Sequence, residues 1–359
     1  MRPRRCSGSL PLFSHAMAIA VLCLATLPQA APGQAEAPKV VTEEFMVPSG
    51  HPGIDLYVRN KHAAGASKFG GERILLFVHG ATYPAEATFD LRLGGLSMME
   101  FVARHGYDVY LVDVRGYGRS TRPPEMDQPA DQNPPIVRTE TAVKDVGAAV
   151  DFILMRRHAT GINLMGWSWG TSIMAWYTAQ NNARVHKLVL YAPLWVHYAG
   201  SLAGSGKLGA YRNVTPDAAR DRWLKDVPPD KKAETIPAGW FEAFAAANLA
   251  SDPAGSKQSP PVMRAPNGVV QDARERWAED KPLYDPEQIR VPTLLVHADW
   301  DQELPISMLQ AFFAKLTNAP YRRYVEVGEG THFLILEKNR RQLFDAVQAF
   351  LDETFKPGD

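Results

Sequence analysis

The run Ile162-Asn163-Leu164-Met165-Gly166-Trp167-Ser168-Trp169-Gly170-Thr171-Ser172-Ile173-Met174 sets one serine between two glycines, after an apolar strand and before a helix. Gly-x-Ser-x-Gly in that setting holds a hydroxyl at the tip of a tight strand-to-helix bend, where it can act as a nucleophile. A side chain at Gly166 or Gly170 would collide with the neighbouring backbone, and the serine itself takes a strained conformation. A serine hydroxyl is a poor nucleophile at neutral pH. It needs a histidine to accept its proton, and a carboxylate to fix the tautomer of that histidine and stabilise the imidazolium.

The elements that must position these partners follow from the alternation of strand-like and helix-like runs beginning at Glu43. Such alternation predicts a mainly parallel sheet covered on both faces. Glu44 to Val47 and Asp55 to Arg59 form an opening antiparallel pair. The buried-strand runs are Arg73 to Gly80, Tyr107 to Asp113, Ile162 to Trp167, Lys187 to Pro193, Pro292 to His297 and Tyr321 to Val327. Helices are expected near Leu96 to Arg104, Thr141 to His158, Ile306 to Leu316 and Asn339 to Phe355. Thr121 to Val137 holds Pro123, Pro124, Pro129, Pro134 and Pro135 and reads as loop without regular structure. Residues 38–193 and 291–359 are thus two parts of one core. Between them, residues 194–290 break the alternation and read as a cap of mostly helices, with one amphipathic candidate at Ala238 to Leu249.

In a parallel sheet, catalytic partners sit on loops beyond the carboxyl ends of later strands. After His297 comes Ala298-Asp299-Trp300-Asp301-Gln302-Glu303-Leu304-Pro305, and after Val327 comes Gly328-Glu329-Gly330-Thr331-His332-Phe333. The order serine, acid, histidine suits this architecture. The acid loop offers Asp299, Asp301 and Glu303.

Composition narrows the function classes. The chain has 359 residues, with Lys+Arg and Asp+Glu equal at 39 each, so no basic field draws it to nucleic acid or anionic lipid. No His/Cys/Glu cluster has metal-ligand spacing and no glycine-rich phosphate loop follows a first strand, so no metal or cofactor is expected. Arg2, Arg4 and Arg5, the apolar run Ala16 to Leu27 and the small-residue segment Gln29 to Ala37 have the order of a secretory signal peptide. Residues 1–30 are expected to be removed, with cleavage placed anywhere up to about 37. Both cysteines, Cys6 and Cys23, fall inside this segment, so the mature, secreted or periplasmic protein would have no disulfide. No later apolar stretch approaches membrane-spanning length.

Together these motifs resemble those of the α/β-hydrolase family. The resemblance covers nearly the whole chain after the leader, apart from the cap. It implies an eight-stranded, mostly parallel sheet flanked by helices, with the cap inserted before the acid-bearing strand. In that family the acid loop commonly reads Asp-x-Asp-x-x-x-Pro with the second aspartate in the triad. This implies Asp301, with Asp299 supporting the turn. Gly-x-x-His-Phe resembles the setting of the catalytic histidine, here His332. His79-Gly80-Ala81-Thr82 resembles the oxyanion loop, which implies a structural His79 and an oxyanion hole made by the backbone N–H groups of Ala81 and Trp169. Thr82 is a weaker candidate there, and Trp167 and Thr82 are candidate pocket residues. Asp113 to Ser120 resembles a segment of capped members and reads as a structural turn.

A serine nucleophile disfavours the alkyl-enzyme route of relatives that use aspartate at this position. It favours acyl transfer to water from a small-molecule ester, lactone or amide. Carboxylic esters, lactones included, are the first expectation. Gly-Trp-Ser-Trp-Gly also resembles the Gly-Gly-Ser-Trp-Gly of prolyl iminopeptidases, where cap acids hold a substrate amine. Glu234, Glu242 and Asp252 are candidates for that role. A non-catalytic binding protein on the same scaffold is the third reading.

Overall fold

A computed structural model describes residues 38–355, and the expected leader lies outside the described residues. The strands are β1 (Val40–Pro48), β2 (Asp55–Ala63), β3 (Ile74–Val78), β4 (Asp108–Val112), β5 (Ile162–Trp167), β6 (Val185–Tyr191), β7 (Tyr211–Val214), β8 (Met263–Pro266), β9 (Thr293–Ala298) and β10 (Arg322–Val327). The principal helices are α1 (Ala85–Phe89), α2 (Met98–Arg104), α3 (Thr139–Arg157), α4 (Trp169–Gln180), α5 (Pro216–Leu224), α6 (Lys232–Thr235), α7 (Trp240–Ala250), α8 (Gly268–Glu275), α9 (Ile306–Lys315) and α10 (Arg340–Asp352).

Eight strands form one sheet in the order β1-β2-β4-β3-β5-β6-β9-β10. The β1–β2 and β2–β4 pairs are antiparallel, and every other pair is parallel. All residues of β3, β4, β5 and β9 are buried, so helices cover both faces, as their unbroken apolar runs require. Each fully buried Ile, Leu, Val or Phe of β3 contributes about 1.5–3 kcal/mol of hydrophobic stabilisation. Because β3, β5, β9 and β10 all run the same way, their carboxyl ends open on one edge of the sheet. That edge receives the loops carrying Ala81, Ser168, Asp301 and His332.

Local chemistry sets the helix starts. Ser97 caps α2 by accepting Glu100 N–H at 3.0 Å, and Thr215 caps α5 by accepting Ala218 N–H at 3.1 Å, with Pro216 in the first turn. The α3 helix is capped from outside its own sequence. Asp272 of α8 accepts both Thr139 N–H and Thr139 Oγ1–H at 2.7 Å, placing a carboxylate at the positive end of the helix.

Two expectations need amending. The Pro-rich loop contains short 3₁₀ turns at Pro124–Asp127 and Ala130–Gln132. It is also laced to the insertion by Ala210 N–H to Ala130 O at 2.7 Å and Gly268 N–H to Ile136 O at 2.7 Å. The stretch between β6 and β9 contains α5 to α8 as expected, but also the antiparallel ribbon β7–β8, with Tyr211 opposite Pro266. Pairing partners 49 to 55 positions apart, on four-residue strands without alternation, leave no local signal.

Glycine is sterically required at the nucleophile bend. A Cβ on Gly170 would lie 2.6 Å from Val78 O and 2.7 Å from His79 O, whereas one on Gly147 in α3 would meet only Tyr177 Cε2 at 3.6 Å. Gly170→Ala is therefore expected to lower stability by about 1–3 kcal/mol. Gly147→Ala, in a helix interior with room, should raise it by about 0.5–1 kcal/mol. Urea unfolding of both variants checks the contrast, and equal effects would contradict the close-approach argument.

Candidate active site

Ser168 sits between β5 and α4 with φ 56° and ψ −122°, a conformation a non-glycine residue reaches only under constraint. Such strain costs about 1–3 kcal/mol and must be imposed by its surroundings. Ser168 N–H donates to Tyr191 O on the adjoining β6 at 3.0 Å, and Ser168 O accepts Thr171 N–H at 2.8 Å and Thr171 Oγ1–H at 2.5 Å. The loop after β3 runs alongside: a Cβ on Gly80 would stand 3.1 Å from Ser168 Cβ.

The expected acid and histidine meet. His332 Nδ1 donates to Asp301 Oδ2 at 2.8 Å, and Asp301 Oδ1 accepts Leu304 N–H at 3.0 Å. A carboxylate on Nδ1 fixes the tautomer and leaves Nε2 as the basic nitrogen. Asp299 accepts Gly330 N–H at 3.2 Å and so braces the turn. The His332 carbonyl is clamped by Trp167 Nε1–H at 3.0 Å and Tyr191 O–H at 2.9 Å. Ser168 Oγ and His332 share no hydrogen bond; catalytic hydrogen bonds often tighten only in the complex with substrate.

His79 is fully buried, donating from Nδ1 to Gly80 O at 2.7 Å and accepting Val114 N–H on Nε2 at 3.2 Å. Burial lowers its pKa to about 4, so it stays neutral and holds the loop. Ala81 O accepts Tyr117 O–H at 2.8 Å. The N–H groups of Ala81 and Trp169, the first residue of α4, have no acceptor among the described residues, as an oxyanion pair requires. Trp169 is steadied by its indole N–H on Thr139 Oγ1 at 2.9 Å, the same hydroxyl that donates to Asp272. The side chains of the two pocket candidates are committed to protein partners: Trp167 to His332, and Thr82 Oγ1 to Arg212 Nη2–H at 2.9 Å. A shallow apolar crevice lies beside this loop, lined by Tyr83, Val214, Ala219, Phe244 and Met263 among others.

Residues 73–339 match the family model described as the alpha/beta hydrolase fold. The chain belongs to the α/β-hydrolase fold family. Solved structures agree on the fold. A serine hydrolase from the polyaromatic-hydrocarbon-degrading bacterium Cycloclasticus zankles superposes with TM-score 0.61 at 15% identity, covering 88% of this chain and 98% of that one. A hydrolase from Pseudomonas aeruginosa gives 0.59 at 17% identity, over 87% and 98%. An esterase from Exiguobacterium antarcticum gives 0.53 at 18%, over 86% and 99%. No curated protein sequence matches closely enough to add a nearer relative.

Within this α/β-hydrolase, several residues around the site carried no motif. Glu337, fully buried, accepts Thr331 N–H at 3.0 Å, Thr331 Oγ1–H at 2.5 Å and Trp223 Nε1–H at 2.8 Å. Trp223 belongs to α5 in the insertion and stacks on Phe333, with ring centroids 5.0 Å apart. Glu337 therefore ties the insertion to the backbone beside His332. A carboxylate directly after the apolar Leu334-Ile335-Leu336 is the one local hint of it. Arg212 and Arg222 of the insertion also reach this region, with no sequence signal at all. Among the described residues, no group of three His, Cys, Asp or Glu side chains is placed to hold a metal ion.

Burial pushes the Glu337 carboxyl up to about 7, against the pull of Thr331 and Trp223. A carboxyl raised above its unfolded value contributes stability that is complete below about pH 4.5 and withdrawn as pH rises through about 7. The span corresponds to a contribution on the order of 3 kcal/mol. Unfolding free energies measured from pH 4.5 to 8 should fall more steeply in the wild type than in Glu337→Gln. Parallel curves would remove Glu337 as the titrating group.

Proposed function

We propose that the protein is a serine hydrolase that cleaves carboxylic esters, lactones included, through an acyl-enzyme on Ser168. The observation that carries this reading is the 2.8 Å bond between His332 Nδ1 and Asp301 on the sheet edge that also presents Ser168 at positive φ. His332 Nε2 takes the Ser168 proton as Oγ attacks the ester carbonyl. The tetrahedral oxyanion is held by Ala81 and Trp169 N–H, and His332 returns the proton to the departing alcohol. Water then repeats the sequence and frees the acid. Donors fixed before the charge develops lower the barrier by about 3 kcal/mol each. The leader-like order of the first 37 residues supports delivery to a secreted or periplasmic location.

An aminopeptidase would need an acid in the insertion free to hold a substrate amine. Glu234 pairs with Lys338 at 3.3 Å, Glu242 with Arg220 at 3.6 Å and Asp252 with Arg264 at 2.8 Å, so none is unengaged. A binding protein on the same scaffold has no need of an oriented His–Asp pair.

A fluorophosphonate probe should label the folded protein at Ser168, and Ser168→Ala should abolish both labelling and hydrolysis of p-nitrophenyl butyrate. Asp301→Asn, which keeps the size but not the tautomer, should lower kcat by about 10⁴-fold. Turnover of aminoacyl amides in preference to esters would favour the peptidase.

A further inference from the structure

The charge around the oxyanion loop is unevenly compensated. Two guanidinium groups from the insertion converge on Thr82 Oγ1, Arg212 Nη2 at 2.9 Å and Arg222 Nη1 at 3.5 Å. Arg222 has a counter-ion in Glu303, at 3.4 Å. That carboxylate also accepts Tyr198 O–H at 2.7 Å and Ser201 Oγ–H at 2.6 Å, so its Oε1 is heavily subscribed. Arg212 has none. Its N–H groups donate to Ala81 O at 2.5 Å and Pro266 O at 2.7 Å, with longer contacts to Ala265 O and Asn267 Oδ1 at 3.4 Å; every one of these acceptors is neutral. Asp301 is committed to His332, and Glu337 to Thr331 and Trp223.

A second observation meets the first. Tyr83, next to Thr82 and 2% exposed, has a buried hydroxyl with no hydrogen-bond partner. Both arginines lie close enough to act on that phenol, opposing the rise in pKa caused by burial. A half-buried cation without a counter-charge, and a buried hydroxyl with nothing to bond, each cost stability. Both are repaired by one kind of ligand, an anion that accepts from Arg212 and Tyr83 together. The same guanidinium donates to Ala81 O, the carbonyl of the residue whose N–H the acyl-enzyme reading assigns to the oxyanion. An anion bound there would belong to the molecule being cleaved.

Building on the acyl-enzyme reading, we propose that the substrate is an ester carrying a free carboxylate, which Arg212 and Tyr83 O–H bind beside the oxyanion loop. A planar guanidinium suits a carboxylate through paired N–H donors, and a hydroxyl supplies a third contact. No proton or electron is exchanged with this carboxylate; it orients the ester toward Ser168.

The test compares matched chromogenic pairs. One is p-nitrophenyl hemiglutarate against its methyl ester, with the charge on the acyl side. The other is 4-carboxyphenyl acetate against its methyl ester, with the charge on the leaving side. The wild type should prefer the anionic member of at least one pair by tenfold or more in kcat/KM, chiefly through KM. Arg212→Met should bring that ratio close to one, while Arg212→Lys should keep part of it. Tyr83→Phe guards against misfolding: removing an unbonded buried hydroxyl should leave thermal stability unchanged or higher while the anionic preference falls severalfold. Fluorophosphonate labelling of Ser168 separates the two readings. Labelled, active enzyme without preference in either pair, or with a preference unchanged in Arg212→Met and Tyr83→Phe, overturns the carboxylate site alone. Absence of both labelling and hydrolysis overturns the acyl-enzyme and the substrate class with it.

Discussion

The close approach of backbones at the end of β5 is the constraint on which the site depends. Gly166 packs so tightly that an added Cβ would lie 2.2 Å from Gly170 O, and Gly170 in turn rests on the carbonyls of Val78 and His79. That contact brings the β3 loop against the first turn of α4. The same packing holds Ser168 in its positive-φ conformation between the β3 loop and the start of α4. Strain at Ser168 is sustained because the neighbouring sheet bonds, Ser168 N–H to Tyr191 O among them, hold the turn from outside.

The histidine loop is organised from the same strands. Tyr191 on β6 accepts from Ser168 through its backbone and donates to His332 O through its hydroxyl, so one residue references both. Trp167 adds a second donor to that carbonyl. Rigid placement of this kind is what allows an imidazole to sit near the geometry of proton transfer without paying for it at the moment of reaction. The insertion joins through Trp223 and Glu337 on one side and through Asp272, Thr139 and Trp169 on the other. It is thus part of the frame that holds the site.

Legibility followed the range of the interaction. β3, β4 and β5 were plain because strands buried on both faces must be apolar throughout, and the bend around Ser168 because only glycine fits there. The nearby Asp301 and Asp299 were told apart only by resemblance to the family's acid loop, and the structure places Asp301 on His332 and Asp299 in the turn. By contrast, α1 has five residues, too few for a helical period, and begins after Pro84. The β7–β8 ribbon and the role of Glu337 depend on partners far along the chain. The insertion's acids looked available in sequence, and only their arginine and lysine partners remove them from the list.

By itself, the order of residues determined the sheet class, the tight bend around Ser168, and the strands whose ends carry the acid and histidine loops, because backbone sterics and hydrophobic periodicity act locally. Only the tertiary structure decided which acid meets His332, which donors hold its loop, and that among the described residues Arg212 has no carboxylate partner and the Tyr83 hydroxyl no hydrogen bond. Charge compensation and hydrogen-bond satisfaction are sums over everything near a group in space. An arginine in a polar stretch such as Tyr211-Arg212-Asn213 looks like any other until the fold shows which carboxylates come near it and which do not.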